Sequence, residues 1–180
     1  NFIMTSIIAN EEVNRDKLIN AKNILSGLQE DAIEFIDKGY GPFVAAIYDK
    51  NNKLIAKAVN SVLTDNCCLN HAEINVIKKT QKILDTYDLS KYELSIYVTS
   101  EPCIMCIGAI MWSGIKSVYY SVPSFDVEKI TGFDEGFKPN WLDEFKKRAV
   151  TVYGNIDCEK GKEVLQYYVN SGKHIYKPER

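Results

Sequence analysis

Two short stretches thirty residues apart, His71-Ala72-Glu73 and Glu101-Pro102-Cys103-Ile104-Met105-Cys106, constrain the fold of this chain more than any other feature. Cys103 and Cys106 are three positions apart, so on one helical turn their sulfurs share a face. Pro102 marks the start of that helix, because the first N–H groups of a helix have no internal partner and proline loses nothing there. The same unpaired N–H groups, with the helix dipole, favour thiolate over thiol. A neutral imidazole from His71, at the start of a second helix, completes a Cys2His donor set suited to zinc. The fold must therefore bring two helix N-termini together.

Three protein ligands leave a coordination position for water, which is the arrangement of a catalytic rather than a structural zinc. Glu73, two residues beyond His71, is off that residue's helical face and is a poor candidate for the same shell. From the first turn of its helix it can reach a water at the metal. Zinc lowers the pKa of such a water to about 7, and an adjacent carboxyl can carry its proton to a substrate. Glu73 is the expected acid–base group.

The rest of the chain reads as alternating helices and strands. Leu18, Leu25, Leu28, Ala32 and Phe35-Ile36 recur at helical steps and predict a helix over 10–38, which Gly27 could divide. Gly39-Tyr40-Gly41-Pro42 ends it. Residues 43–48 and 54–59 predict a hairpin across turn residues 49–53, followed by a polar loop over 60–70. A helix is expected over 71–84 with Ile74, Ile77, Ile83 and Leu84 buried, then a strand over 94–99, a helix over 103–112 and a strand over 117–122. Beyond Pro123 the pattern is less regular, with a helix over 141–148, a strand over 150–153 and a helix over 162–169. Strands joined through helices imply right-handed crossovers. The expected fold is α/β: a three-layer α/β/α domain with a mixed sheet of about five strands. A single domain over 1–180 is expected, with an N-terminal helical extension (1–38), a catalytic core (40–125) and a substrate loop with the C-terminal strand and helix (126–180).

Charge and cysteine usage narrow the partners. The formal net charge of −2 lacks the basic excess of a nucleic-acid binder, and Asp143-Glu144 directly precedes the cluster Lys146-Lys147-Arg148. No run approaches the roughly 18 apolar residues of a membrane span. The stretch 2–8 is too short and lacks the basic flank of a signal peptide, and Met4 reads as a natural start. Five cysteines, an odd number without a secretory signal, suit a reduced cytoplasmic setting. Cys67, Cys68 and Cys158 are read as free thiols without the spacing to join the site.

The ordered pair His-x-Glu and Pro-Cys-x-x-Cys is similar to the signature of zinc nucleobase deaminases. Residues 40–125, from Gly41-Pro42-Phe43 to the strand 117–122, resemble the cytidine deaminase-like superfamily. The resemblance implies that His71, Cys103 and Cys106 hold Zn2+ and that Glu73 shuttles the proton. Hydroxide would then attack an amine-bearing ring carbon, with loss of ammonia.

Within the superfamily the likeness is closest to bacterial guanine deaminases. Phe43 after Gly41-Pro42, Asn60 eleven residues before His71, the run Cys106 to Trp112, and Gly132-Phe133-Asp134-Glu135 carry it. By this resemblance Phe43 lies beside the base, Asn60 hydrogen-bonds a purine, and Asp134 or Glu135 accepts from guanine N1–H and its amino group. The family has Asp where this chain has Glu135, which leaves open which carboxylate faces the base. Tyr176 resembles a terminal tyrosine that enters the partner's site, implying a homodimer. The implied substrate is a small nucleobase or nucleoside, with guanine going to xanthine and ammonia. Cytosine, nucleosides, other aminated heterocycles and tRNA adenosine are the alternatives. Taken as residues alone, Phe43 is strand core, Asn60 a turn residue and Asp134-Glu135 a solvated loop. Met111 and Trp112 read as core, although Trp112 could wall a pocket, and His174 reads as a surface residue.

Overall fold

Period-two alternation along the strands sends each side chain of the sheet into one of two cores. The computed structural model describes residues 7–12 and 14–180. Its strands are β1 (Ile8–Ala9), β2 (Val44–Tyr48), β3 (Leu54–Val59), β4 (Ser95–Ser100), β5 (Ser117–Val122) and β6 (Thr151–Gly154). They form one mixed sheet in the order β1-β6-β5-β4-β2-β3. β4, β5 and β6 run parallel, while β2 is antiparallel to both β3 and β4. The sequence reading of Met4, and most of that of the stretch 2–8, lies outside the described residues.

Among the described residues there are seven α-helices: α1 (Arg15–Asp37), α2 (Val62–Asp65), α3 (Ala72–Leu84), α4 (Ile104–Ser113), α5 (Ser124–Thr131), α6 (Trp141–Lys147) and α7 (Cys158–Asn170). Ala45, Ile47, Ile96, Val98 and Val118 face one core, shared with α3, α4 and α6. Val44, Ala46, Tyr97, Tyr119 and Tyr153 face the other, shared with α1, α5 and α7. On that second face Tyr48, Tyr97, Tyr119 and Tyr153 form a ladder across four strands, with ring centroids 5.3, 4.7 and 5.2 Å apart. The three layers are those expected. No helix among the described residues is long and apolar enough to cross a membrane.

Several boundaries differ from the sequence expectations. The sheet has six strands rather than about five. β1 is two residues long, too short for any periodic signal, and is held by its neighbours. Asn10, just beyond it, donates to Val150 O and Leu142 O at 2.9 and 3.0 Å and accepts from Val152 N at 2.8 Å. The long helix begins at Arg15 rather than residue 10, capped by Asn14 Oδ1, which accepts from Lys17 N at 3.1 Å. It runs unbroken through Gly27, because Leu25 and Leu28 are buried on either side. α2 lies inside the expected polar loop, and α5 occupies the region read as irregular.

α7 starts four residues earlier than expected, since Gly161 is needed inside it. A Cβ there would stand 2.4 Å from Val122 Cγ2, so only glycine lets the helix lie this close to β5. In α3 the buried residues are Ala72, Glu73, Val76, Ile77 and Thr80, and Ile83 is turned outward. Trp112 is 82% exposed and belongs neither to the core nor to the cavity described below.

The Asn10 side chain closes an otherwise unpaired edge through three buried or half-buried hydrogen bonds. Asn10→Ala is expected to lower stability by about 1–3 kcal/mol, because buried backbone groups lose their partners. Urea denaturation followed by circular dichroism measures this.

Candidate active site

Parallel strands β4 and β5 end side by side, and the chain leaves β4 directly into the turn that opens α4. Cys103 is the N-cap of α4, in extended geometry with ψ 172°, and His71 is the N-cap of α3, with ψ 156°. Neither side chain caps its own helix, so both are free to point at the space between the helix ends. Cys106 lies in the first turn of α4. Cys103 Sγ and Cys106 Sγ lie 3.4 and 3.7 Å from His71 Nδ1, and all three donor atoms fall within 4.8 Å of one another.

These separations test the fit to zinc. Tetrahedral zinc with ordinary Zn–S and Zn–N bonds spaces a sulfur and an imidazole nitrogen by roughly 3.6 Å. The measured pairs bracket that value. Among the described residues this is the one group of three potential metal-binding side chains brought this close together. Its proton inventory agrees. A hydrogen bond from Cys106 pulls the Cys103 thiol down to about 4, while the same shared proton, with burial, pushes Cys106 well above the usual thiol range. Metal binding displaces that proton. Burial disfavours the His71 imidazolium, and the Cys103 thiolate beside it outweighs burial and raises its pKa.

Glu73 is 5% exposed, in the first turn of α3. Burial raises its pKa, and the nearby Cys103 charge adds to the effect. A buried carboxyl beside the donor set is placed to take and return a proton.

A cavity of about 620 Å³ opens over this group, within the size range of small-molecule sites. Eight of the nine residues singled out in the sequence line it: Phe43, Asn60, His71, Glu73, Cys103, Asp134, Glu135 and Tyr176. Cys106 is buried beneath. The two loop carboxylates are told apart. Asp134 is exposed, accepts from Gly136 N at 2.9 Å and stands 3.7 Å from Arg180 at the rim. Glu135 turns inward, where burial, offset in part by Lys138, pushes its carboxyl up to about 8.

Asn60 is buried at the end of β3. Its Oδ1 accepts from Val62 N at 3.2 Å, and its amide nitrogen has no partner among the described residues. Tyr176 enters the cavity of its own chain, with its hydroxyl buried and unpartnered among those residues. Gly41 makes this approach feasible, since a Cβ there would lie 2.6 Å from the Tyr176 hydroxyl and 2.7 Å from Asn60 Oδ1. Phe43 reaches both the cavity and the core, packing on Phe133 at 5.5 Å.

The sequence reading missed part of the wall. Cys67 and Cys68 line the cavity, as do His174, Lys177 and Arg180 of the C-terminal segment. The thiols have no ligand spacing and the tail residues no periodic pattern, so neither carries a sequence signal.

Residues 21–122 match the family described as the cytidine and deoxycytidylate deaminase zinc-binding region. A guanine deaminase from Bacillus subtilis is 34% identical over 123 residues, spanning 68% of this chain and 77% of that protein. A solved structure of guanine deaminase from Nitrosomonas europaea has a TM-score of 0.79 at 31% identity, covering 93% of this chain and 91% of that one. A tRNA-specific adenosine deaminase from Rickettsia bellii is 40% identical over 94 residues, 52% of this chain and 63% of that protein.

Two measurements check the site. Cys106→Ser is expected to lose stoichiometric zinc, read by elemental analysis of the purified protein. Glu135 titrates near 8 in the fold and near 4.5 when unfolded, so the folded state holds an extra proton between these values. Stability from this group therefore falls as pH rises from about 4.5 to 8. In zinc-stripped protein, the Tm of wild type should decline across that window relative to Glu135→Gln.

Proposed function

The chain belongs to the cytidine and deoxycytidylate deaminase zinc-binding family, and on that premise we propose that it hydrolyses guanine to xanthine and ammonia. The observation that carries this reading is the buried Glu73 carboxyl beside a three-ligand donor set, in a cavity that also presents Asn60 and Glu135. His71, Cys103 and Cys106 hold the zinc. When bound there, zinc supplies Lewis acidity that makes water nucleophilic near neutral pH.

The remaining steps fall to this chain's own side chains. Glu73 takes a proton from the attacking water and returns it to the departing amine, working in both directions from one position. Asn60 offers its free amide N–H2 to a ring acceptor, and guanine presents such acceptors at N7 and O6. Near the zinc cation Glu135 favours its ionised form over the protonated one of the metal-free site, and the carboxylate then accepts from N1–H and the amino group, a donor pair that cytosine does not present in this form. Asp134 stays at the rim with Arg180. Phe43 and Phe133 supply an apolar wall, and the Tyr176 hydroxyl adds a polar group beside Asn60.

Structural likeness supports guanine against tRNA adenosine: the Nitrosomonas europaea guanine deaminase matches over 93% of this chain at a TM-score of 0.79, whereas a solved tRNA:A34 deaminase matches over 54% at 0.50. The formal charge of −2 supports the same choice, because RNA binding draws most of its affinity from phosphate contacts. The reading includes a homodimer in the cytoplasm. Exposed Trp112 and Tyr87 line one groove with Ile74 and Ala109, a surface suited to a second subunit, and cysteines without disulfides suit a reducing compartment.

Ammonia release from a panel of guanine, guanosine, cytosine and adenosine tests the substrate. Guanine is expected to turn over, and turnover of cytosine with guanine left intact overturns the assignment. Glu73→Ala should retain zinc while deamination falls by about 10²–10⁴-fold, whereas unchanged activity would remove the proposed proton shuttle. Asn60→Ala should raise KM for guanine.

A further inference from the structure

The segment over residues 132–139 delivers Phe133 and Glu135 to the cavity without secondary structure of its own. Its position over the metal-ligating turn is therefore set by side-chain contacts: Phe133 packs on Phe43 and Tyr176, and further contacts stand at its two ends. At the first end it leaves α5 directly, and Glu135 N donates to Glu128 Oε1 at 3.0 Å. At the second end stands Lys138, whose side chain is 15% exposed, unlike an ordinary loop lysine.

Lys138 Nζ donates to the carbonyl of Pro102, the residue immediately before Cys103. It also lies 4.0 Å from Glu101 Oε2, in a carboxylate that is itself 12% exposed. Glu101 does not depend on the lysine for its placement. Its Oε1 accepts from Ser124 N at 3.0 Å, at the start of α5, and its Oε2 accepts from Trp141 Nε1 at 3.2 Å, at the start of α6. The elements that flank the segment thus hold Glu101 in place, and Glu101 with Pro102 O holds Lys138.

We propose that Lys138 is a positioning residue that registers the 132–139 segment against the Cys103 turn and thereby sets affinity for the substrate. The fixed partners lie on the turn that carries a ligand, and the moving partner lies on the segment that carries Glu135. Lys138 ties the segment that carries Glu135 to the turn that carries Cys103, alongside the contact of Ser124 Oγ with Glu135 Oε1 at 3.5 Å. Its effect on affinity rests on the deaminase reading above, whereas its effect on the segment does not. A shift of about an ångström in a substrate-positioning group can cost on the order of a hundredfold, so a single tether suffices to matter.

The test combines hydrogen exchange with kinetics. The Glu135 N–H donates to Glu128 Oε1 of α5, and the Gly136 N–H donates to Asp134 Oδ1 within the segment. In Lys138→Met these amides are expected to exchange at least about tenfold faster, with the amides of α4 unchanged and zinc content retained. KM for guanine should rise roughly tenfold or more, with kcat per zinc falling less. Lys138→Arg keeps donors at the same site and should recover part of both effects. If Lys138→Met is destabilised by leaving Glu101 unpaired, the double variant Glu101→Gln/Lys138→Met removes both charges and should keep the fast exchange. Unchanged exchange at Glu135 and Gly136 in the folded variants overturns the proposal, and so does fast exchange with unchanged KM. Absence of guanine turnover in wild type would instead count against the deaminase substrate, and the exchange comparison would still decide the tether.

Discussion

The convergence of two helix N-termini on one small volume is the constraint on which the rest depends. His71 and Cys103 are both N-caps, and neither caps its own helix. Two sulfurs and an imidazole within 4.8 Å, with a buried carboxyl beside them, form a cluster that a folded chain tolerates poorly without a cation. The donor atoms of His71, Cys103 and Cys106 surround the place suited to the metal. Parallel pairing of β4 with β5, and the packing of α3 and α4 on the same face, hold the cluster together. The sheet supplies rigidity where the chemistry requires distances fixed to a few tenths of an ångström.

The substrate half of the cavity is assembled differently. Phe43 and Asn60 come from the ends of a hairpin, Glu135 from an irregular segment, and Tyr176 from the C-terminal tail. Phe133 joins them, with ring centroids 5.5 Å from Phe43, 4.6 Å from Tyr176 and 6.1 Å from Tyr168. Its ring is buried and belongs to the core under α1 and α7, so that core extends to the cavity wall. The metal cluster is thereby carried by α3 and α4 on one face, while Phe133 and Tyr176 of the cavity wall belong to the other.

Periodic elements were the legible part of the fold. The hairpin 43–59, the two central strands and the helices carrying the ligands fall within one or two residues of their expected ranges, because each repeats its apolar pattern several times. β1 escaped because two residues contain no period, and only its pairing with β6, extended by the Asn10 bonds, reveals it. The early start of α7 escaped because Gly161 argues against helix locally while close packing on Val122 demands it. Trp112 was misplaced for a related reason. An aromatic at the end of an apolar helix reads as core, yet its position on the helix turns it outward.

The sequence by itself determined the reaction chemistry. Residue types at spacings of two and three define donors and an acid–base group within single helical turns, where local geometry leaves little choice. It left open which of two adjacent carboxylates serves the substrate, because neighbours in an irregular segment have no periodicity to assign them a face. Tertiary structure separates the two side chains, burying Glu135 toward the metal cluster and leaving Asp134 exposed beside Arg180. It also decided the wall formed by Cys67, Cys68 and the tail, and the burial of Lys138 against the Cys103 turn. These depend on contacts between residues tens of positions apart, and only the closed sheet brings those residues together.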